Sequence, residues 1–290
     1  MLLNVLSKFE HELLESYTIS KQLITNAPPG LLEQISKLKA SQIQKLAKNK
    51  VPAYKKFLKN KKHSSIEDVP YTDKNNYIKK FPYEARCLGG KFPTKGNIDE
   101  SSGSSGIPTN WIRAVSEEDL LFKAAKFEFY YTFNADKINY ITLSAWSSGP
   151  WATGVKFCEI IERYTLVKNT TPDIENIIRS LKTFGKKYDY IIGGYPPFLK
   201  QLFDTPSIKW KDYKINIITG GESIPLEWKN NIRQKLHDKA TIISSYGASD
   251  IDIGIGFETP FSEFIREQAK TNPEINKELF KTDFNPMVFQ

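Results

Sequence analysis

Apolar residues recur at helical spacing through the first third of the chain, then give way to short β-branched runs. Leu31, Leu32, Ile35, Leu38, Ile43, Leu46 and Ala47 fall close to a 3.6-residue period and predict a helix over 31–48. Val51-Pro52 interrupts it, and a second helical stretch resumes over Ala53–Leu58. Asp68 to Lys74 reads as a turn into another short helix, with Thr72 or Asp73 as the N-cap.

Beyond residue 115 the texture changes. Ser116 stands before Glu117, Glu118 and Asp119, an N-cap with acids in the first turn, and predicts a helix to Tyr131. Strands are predicted over Asn139–Trp146, Val155–Glu159, Tyr188–Ile192, Ile215–Ile218 and Ala240–Ser244. Between them lie helices opening at Thr171-Pro172 and closing at Gly185, then over Pro197–Phe203, Pro225–His237 and Phe261–Lys270. Apolar strands alternating with capped helices predict an α/β fold, a mostly parallel sheet flanked by helices and preceded by a helical N-terminal region. The expected division is a helical region over 1–95 and an α/β core over 96–290.

Composition narrows the chemistry more than the fold. Two cysteines, Cys87 and Cys158, provide no disulfide framework and no zinc spacing. His11, His63 and His237 are scattered singly, which argues against a histidine metal site. The first six residues are apolar but lack a basic flank and run into Lys8, Glu10 and Glu12, so they do not read as a signal peptide. No stretch has the length of a membrane span, and a cytoplasmic setting is the expectation. The net charge of +8 gathers around Lys45, Lys48, Lys50, Lys55, Lys56, Lys59, Lys61 and Lys62. Such a run suits a solvated helix face, and no RNA-binding aromatic pattern accompanies it, so no specific nucleic-acid partner is expected.

Three segments carry the candidate chemistry. Ser101, Ser102, Gly103, Ser104, Ser105, Gly106, Ile107, Pro108 and Thr109 form a run with almost no bulky side chains. Backbone N–H groups and hydroxyls in such a loop close around an anion, although a flexible linker has a similar composition. It is not a Walker A loop, because the Gly-Lys-Ser/Thr ending is missing. The strand at Ile217-Ile218-Thr219 runs into Gly220, Gly221 and Glu222, and that at Ile242-Ile243-Ser244 into Ser245, Tyr246, Gly247, Ala248, Ser249 and Asp250. Ligands gather beyond the carboxyl ends of strands in open α/β sheets, while Glu222 and Asp250 also suit ordinary turn and cap positions.

Taken in order, these segments resemble the adenylate-forming enzymes, in particular the phenylacetate–CoA ligase-like branch. That branch carries a Ser/Thr/Gly-rich loop, a Gly-Gly/Ala-Glu strand end and a Tyr-Gly-X-Ser/Thr-Glu motif. Upstream, Lys50-Val51-Pro52-Ala53-Tyr54-Lys55-Lys56 resembles its Val-Pro-Phe-Tyr-Arg segment, and Val69-Pro70-Tyr71-Thr72-Asp73-Lys74 its Leu-Pro-Phe-Thr-Thr-Lys segment. The likeness runs from about Gln42 to Asp250.

The resemblance implies that a carboxylic acid and ATP react to an acyl-adenylate, and that a thiol, coenzyme A or another acceptor, then takes the acyl group. It implies that residues 96–290 are a nucleotide-binding core, with phosphates held by Ser101, Ser102, Gly103, Ser104, Ser105, Gly106 and Thr109. Ser249 would meet the α-phosphate, Asp250 would hold Mg²⁺, Tyr246 would lie against the adenine, and Gly247 would be among the nucleotide-binding residues. Gly220 and Gly221 would admit the nucleotide to the backbone, with Glu222 beside it. Trp146, Trp151, Gly154, Gly194 and Tyr195 are the expected acyl pocket, since aromatic walls with glycine gaps suit an apolar acid and equally suit core packing.

The chain also departs from the family pattern. Ile107 stands where the family's loop has a lysine, and Asp250 where it has a glutamate. The family continues into a ribose-binding aspartate and a small C-terminal domain with a catalytic lysine. The expectation is therefore an N-terminal portion of such an enzyme that ends in a strand-like run at 285–290 and does not turn over alone: a truncated product, one half of a split enzyme or an incomplete record, with a separate C-terminal domain or a carrier protein as candidate partner. An acyl-protein or carrier-protein synthetase, or a non-catalytic adaptor that keeps the fold, stands as the alternative.

Overall fold

The helical spacing of the N-terminal third becomes a run of helices in the computed structural model, which describes residues 12, 15–61, 65–101, 108–151 and 153–289. The chain divides into two compact units, one of Met1–Ile98 with Ile112–Leu120, the other of Asp99–Trp111 with Leu121–Gln290. The first contains helices α1 (Tyr17–Asn26), α2 (Pro29–Lys50), α3 (Pro52–Phe57) and α4 (Tyr83–Arg86). Pro52 ends α2 and opens α3, because its missing N–H is tolerated only in a first turn. Asp73 caps a single π turn at Lys74–Ile78, accepting from the N–H groups of Asn75 at 2.7 Å and Asn76 at 2.6 Å. Tyr54, Phe57 and Tyr77 pack ring against ring, with centroids 5.5 to 6.3 Å apart. Along α2 the apolar positions Leu31, Ile35, Leu38, Ile43 and Leu46 are exposed. The described lysines between Lys45 and Lys61 are exposed as well; Lys62 lies outside the described residues.

Strands β1 (Gly96–Glu100) and β2 (Asn110–Ala114) pair as a two-stranded sheet on either side of the small-residue loop. Helix α5 (Val115–Phe133) follows directly. It starts one residue before the anticipated cap, so Ser116 lies inside it, and the Glu117 carboxylate accepts the Ala114 N–H at 2.7 Å.

The second unit is built on a six-stranded sheet. Its members are β3 (Tyr140–Ala145), β4 (Leu166–Asn169), β5 (Asp189–Gly194), β6 (Lys214–Gly220), β7 (Ile242–Ala248) and β8 (Asp252–Phe257), in the order β4-β3-β5-β6-β7-β8. Every pairing is parallel except β7 with β8. The central strands are continuous apolar runs because helices cover both of their faces. Side chains alternate between two cores, as the pleat requires. Tyr190, Ile192, Ile215 and Ile217 pack with Ile177, Leu181, Leu199, Leu202 and Ile232 from α7 (Ile174–Phe184), α8 (Pro196–Asp204) and α9 (Leu226–Lys235). Ile191, Ile218 and Ile243 pack on the opposite face with Phe129 and Phe133 of α5 and with Phe157, Ile160 and Ile161 of α6 (Val155–Ile161).

The fold class read from the sequence is the one observed, with local corrections. Residues 155–161 form a helix, not the anticipated strand. The buried positions Phe157, Ile160 and Ile161 are spaced three and one apart, which a helix turns to one side and a strand would split between two. Helix α7 begins at Ile174, capped by Asp173 rather than opened by Pro172; the Asp173 carboxylate accepts from Asn176 N–H at 3.0 Å. Gly185 closes it as expected, at φ 86°. Residues 285–289 form no strand. The last helix, α10 (Pro260–Thr271), is fastened by a buried ion network. Glu258 accepts from Arg266 Nη1 at 2.6 Å, Lys229 Nζ at 3.3 Å and Ser244 N–H at 3.1 Å. Lys229 also donates to Glu263 at 2.7 Å.

Candidate functional site

A cavity of about 740 Å³ opens at the carboxyl ends of the parallel strands. Trp146 and Ser147 follow β3, Tyr195 follows β5, Gly220, Gly221 and Glu222 end and follow β6, and Gly247, Ala248 and Ser249 end and follow β7. The chain runs from β3 to β4 on one side and then crosses to β5 on the other, so the topology reverses between β3 and β5. Strand ends diverge at such a point and leave a crevice. The wall thus unites eight anticipated residues: Trp146, Trp151 and Tyr195 of the acyl group with Gly220, Gly221, Glu222, Gly247 and Ser249 of the nucleotide group.

The small-residue loop is anchored beside this cavity. Ser101 N–H donates to Thr109 O at 2.9 Å, and Thr109 N–H donates to Ser101 Oγ at 3.1 Å, closing the loop at its base. Residues Ser102, Gly103, Ser104, Ser105, Gly106 and Ile107 lie outside the described residues. Glu100 lines the cavity, and its N–H donates to Pro150 O at 2.7 Å, next to Trp151. One residue earlier, Asp99 accepts from Lys156 Nζ at 2.8 Å with both side chains 2% exposed. An ion pair this buried holds only with full pairing, so it fixes where the loop leaves β1.

The glycines have separate physical reasons. A Cβ on Gly220 would meet Ser245 O at 2.6 Å, so glycine lets the backbones of β6 and β7 approach closely where the cavity begins. Gly221 turns the chain at φ 83°, a conformation that side chains disfavour. Glu222 then accepts a hydrogen bond from the Tyr195 hydroxyl, which holds that phenol above its usual pKa. Gly154 (φ 78°) would press a Cβ to 2.2 Å from Ser147 O, and Gly194 would meet Leu199 at 3.2 Å; both are off the cavity wall.

Tyr246 and Asp250 are exposed and also off the wall. The Tyr246 ring stacks on Phe289 at 5.3 Å and 25°. Among the described residues no three His, Cys, Asp or Glu side chains cluster as a metal cage. No described helix is long and apolar enough to cross a membrane.

Several wall residues have no counterpart among the anticipated site residues, and one of them is a buried carboxylate. Glu128 of α5 lines the cavity at 7% exposure, and its Oε1 has no hydrogen-bond partner among the described residues. Burial pushes its pKa from 4.5 to about 7, against a hydrogen bond with the Ser245 side chain that lowers it. The signal was in the spacing: Leu121, Ala125, Glu128 and Phe129 share a helix face, so the lone charge falls on an apolar stripe.

No protein-family model matches the sequence, and no curated protein matches it. The fold does have counterparts among solved structures. The chain is similar to a 2-hydroxyisobutyryl-CoA ligase in an open conformation with 2-HIB-AMP and CoA, at a TM-score of 0.62 and 13% identity over 80% of this chain and 57% of that one. It is similar to the same ligase in its postadenylation state with 2-HIB-AMP, again at 0.62 and 13%, over 80% of this chain and 52% of that one. The chain spans about half the length of these proteins. At this identity the likeness establishes a shared fold, a mostly parallel sheet flanked by helices.

Proposed function

We propose that the cavity binds ATP and a carboxylic acid and serves acyl-adenylate formation, in the manner of the phenylacetate–CoA ligase-like enzymes. The supporting observation is the convergence of Gly220–Glu222, Gly247–Ser249 and the aromatic pair Trp146 and Trp151 on one cavity at the sheet's switch point. The ligase neighbours, which hold 2-HIB-AMP, support the same reading.

In the proposed reaction a carboxylate oxygen of the acid attacks the α-phosphorus, the bond to the bridging oxygen breaks, and pyrophosphate leaves. A thiol, that of coenzyme A or of a carrier protein, then takes the acyl group and releases AMP. The work of the protein is positioning and charge stabilisation. Loop residues from Ser101 to Thr109 hold the β- and γ-phosphates, and Ser249 orients the α-phosphate. Gly220 and Gly221 leave backbone room for the nucleotide, while the bond to Tyr195 sets the orientation of Glu222. Asp250, exposed and one residue beyond Ser249 of the cavity wall, would hold Mg²⁺. When bound, the ion would neutralise phosphate charge. Apolar walls from Phe129, Phe157 and Ile160 take the body of the acid.

Calorimetric titration with Mg·ATP tests this reading, against the Ser102→Ala/Ser105→Ala/Asp250→Ala variant. Binding weakened at least tenfold in the variant is expected, since several charge-assisted contacts are removed together. Absence of binding to the parent chain would refute nucleotide use. Equal binding to both would refute the assignment of phosphates and metal.

A further inference from the structure

The cavity is apolar over much of its wall, and Glu128 is a buried carboxyl there that this chemistry leaves unused. A carboxyl with one oxygen unpartnered at 7% exposure is costly in a wall of Leu121, Ala125, Phe129 and Phe157. Trp146 on the same wall has its indole Nε1–H buried and likewise without a partner among the described residues. The indole nitrogen stands where Gly193 has no side chain; a Cβ there would lie 3.1 Å from it. Two buried polar groups on one cavity wall, each with one atom left unpaired among the described residues, mark a place that a polar ligand atom completes.

We infer that the acid bound in this cavity carries a hydrogen-bond-donating substituent, away from its carboxylate, that Glu128 receives. The inference rests on the reading of the cavity as an acid site and names the class of acid. Glu128 discriminates because an acid lacking the substituent would bury the carboxyl and leave it unpaired, which binding sites of this type reject. A hydroxyl both donates to the carboxyl and can accept from an indole N–H, so it satisfies either wall group. An ammonium satisfies only the carboxyl, and only when that is ionised. The buried environment holds Glu128 largely protonated below neutral pH, which favours the hydroxyl. The class is therefore a hydroxy acid with an otherwise apolar body.

Matched probes make the test. Phenylacetate is compared with 4-hydroxyphenylacetate, and hexanoate with 6-hydroxyhexanoate and 6-aminohexanoate, by calorimetry on the full chain in the presence of Mg·ATP. Parent protein, Glu128→Gln and Glu128→Leu are compared after each is shown to unfold cooperatively. The hydroxylated probe of one pair should bind the parent roughly ten- to hundredfold more tightly than its plain partner. Glu128→Gln, which keeps an acceptor, should retain much of that preference, and Glu128→Leu should lose or invert it. Equal binding of plain and hydroxylated probes, preference unchanged in Glu128→Leu, or no binding of any probe would overturn the inference. A dominant preference for 6-aminohexanoate would overturn the hydroxyl assignment. Mg·ATP is titrated separately, so loss of the nucleotide reading shows as no Mg·ATP binding whatever the acids do.

Discussion

Glu128 and Gly220 show how single positions bear on this cavity in opposite ways. The Glu128 carboxyl is protonated in the folded chain up to about pH 7 but ionises near 4.5 once exposed, so the native state holds an extra proton between those values. Its contribution is complete below pH 4.5 and is lost as pH rises through 7, a difference of about 3 kcal/mol. Urea unfolding from pH 5 to pH 8 should therefore show the parent losing stability relative to Glu128→Gln. Parallel profiles for the two proteins would mean that the carboxyl is hydrated. Gly220 acts through backbone approach instead. Gly220→Ala drives a methyl against Ser245 O, for a loss of about 1–3 kcal/mol in unfolding free energy, read from the shift in denaturant midpoint. Gly220 was legible as a candidate because it ended an apolar strand. Glu128 was not singled out: its place on an apolar helix stripe is readable in the spacing, but the burial of that face depends on neighbours that only the fold supplies.

Elements with strong local signals were legible, and those that depend on partners were not. The runs at 140–145, 189–194, 214–220 and 242–248 are β-branched and apolar, and their flanking caps fixed the alternation. The edge strands β4 and β8 escaped. Leu166–Asn169 has four residues, and Asp252–Phe257 carries glycine at every second interior position. Short and glycine-rich strands have little propensity of their own and form because β3 and β7 present unpaired backbone to them. The junction behind β8 depends on Glu258, which joins β7, α9 and α10 through Ser244, Lys229 and Arg266. Charged residues 29 positions apart in sequence give no hint of this pairing. Glu258→Leu leaves Arg266 and part of Lys229 buried without a counter-charge. It should cost about 3–5 kcal/mol in unfolding free energy, whereas breaking an exposed, solvent-screened pair such as Lys186–Asp212 should leave stability almost unchanged. Similar losses for the two would show that the Glu258 cluster is hydrated.

At the scale of the whole molecule, sheet order decides where a ligand can sit. The loops after β3, β5, β6 and β7 are far apart in sequence, yet parallel pairing sends these strands in one direction and brings their ends together. Parallel topology was inferred from alternation with helices, and it is that inference, more than any one motif, that made the cavity foreseeable. The strand order itself was not readable, since it depends on which side of β3 each crossover returns. If the cavity takes nucleotide, the effect of binding should be polar along the sheet. Hydrogen exchange with and without Mg·ATP should show protection at the amides of Ser101, Thr109, Gly220–Glu222 and Ser245–Ser249. The amino ends of the same strands, at Tyr140, Asp189 and Lys214, should change only through the global stabilisation, about 2.7 kcal/mol at a hundredfold excess over Kd. Only amides that exchange by complete unfolding report that global term, so the local and global effects separate by rate. Protection centred on the amino ends would place the nucleotide at the wrong edge of the sheet and remove the switch-point argument altogether.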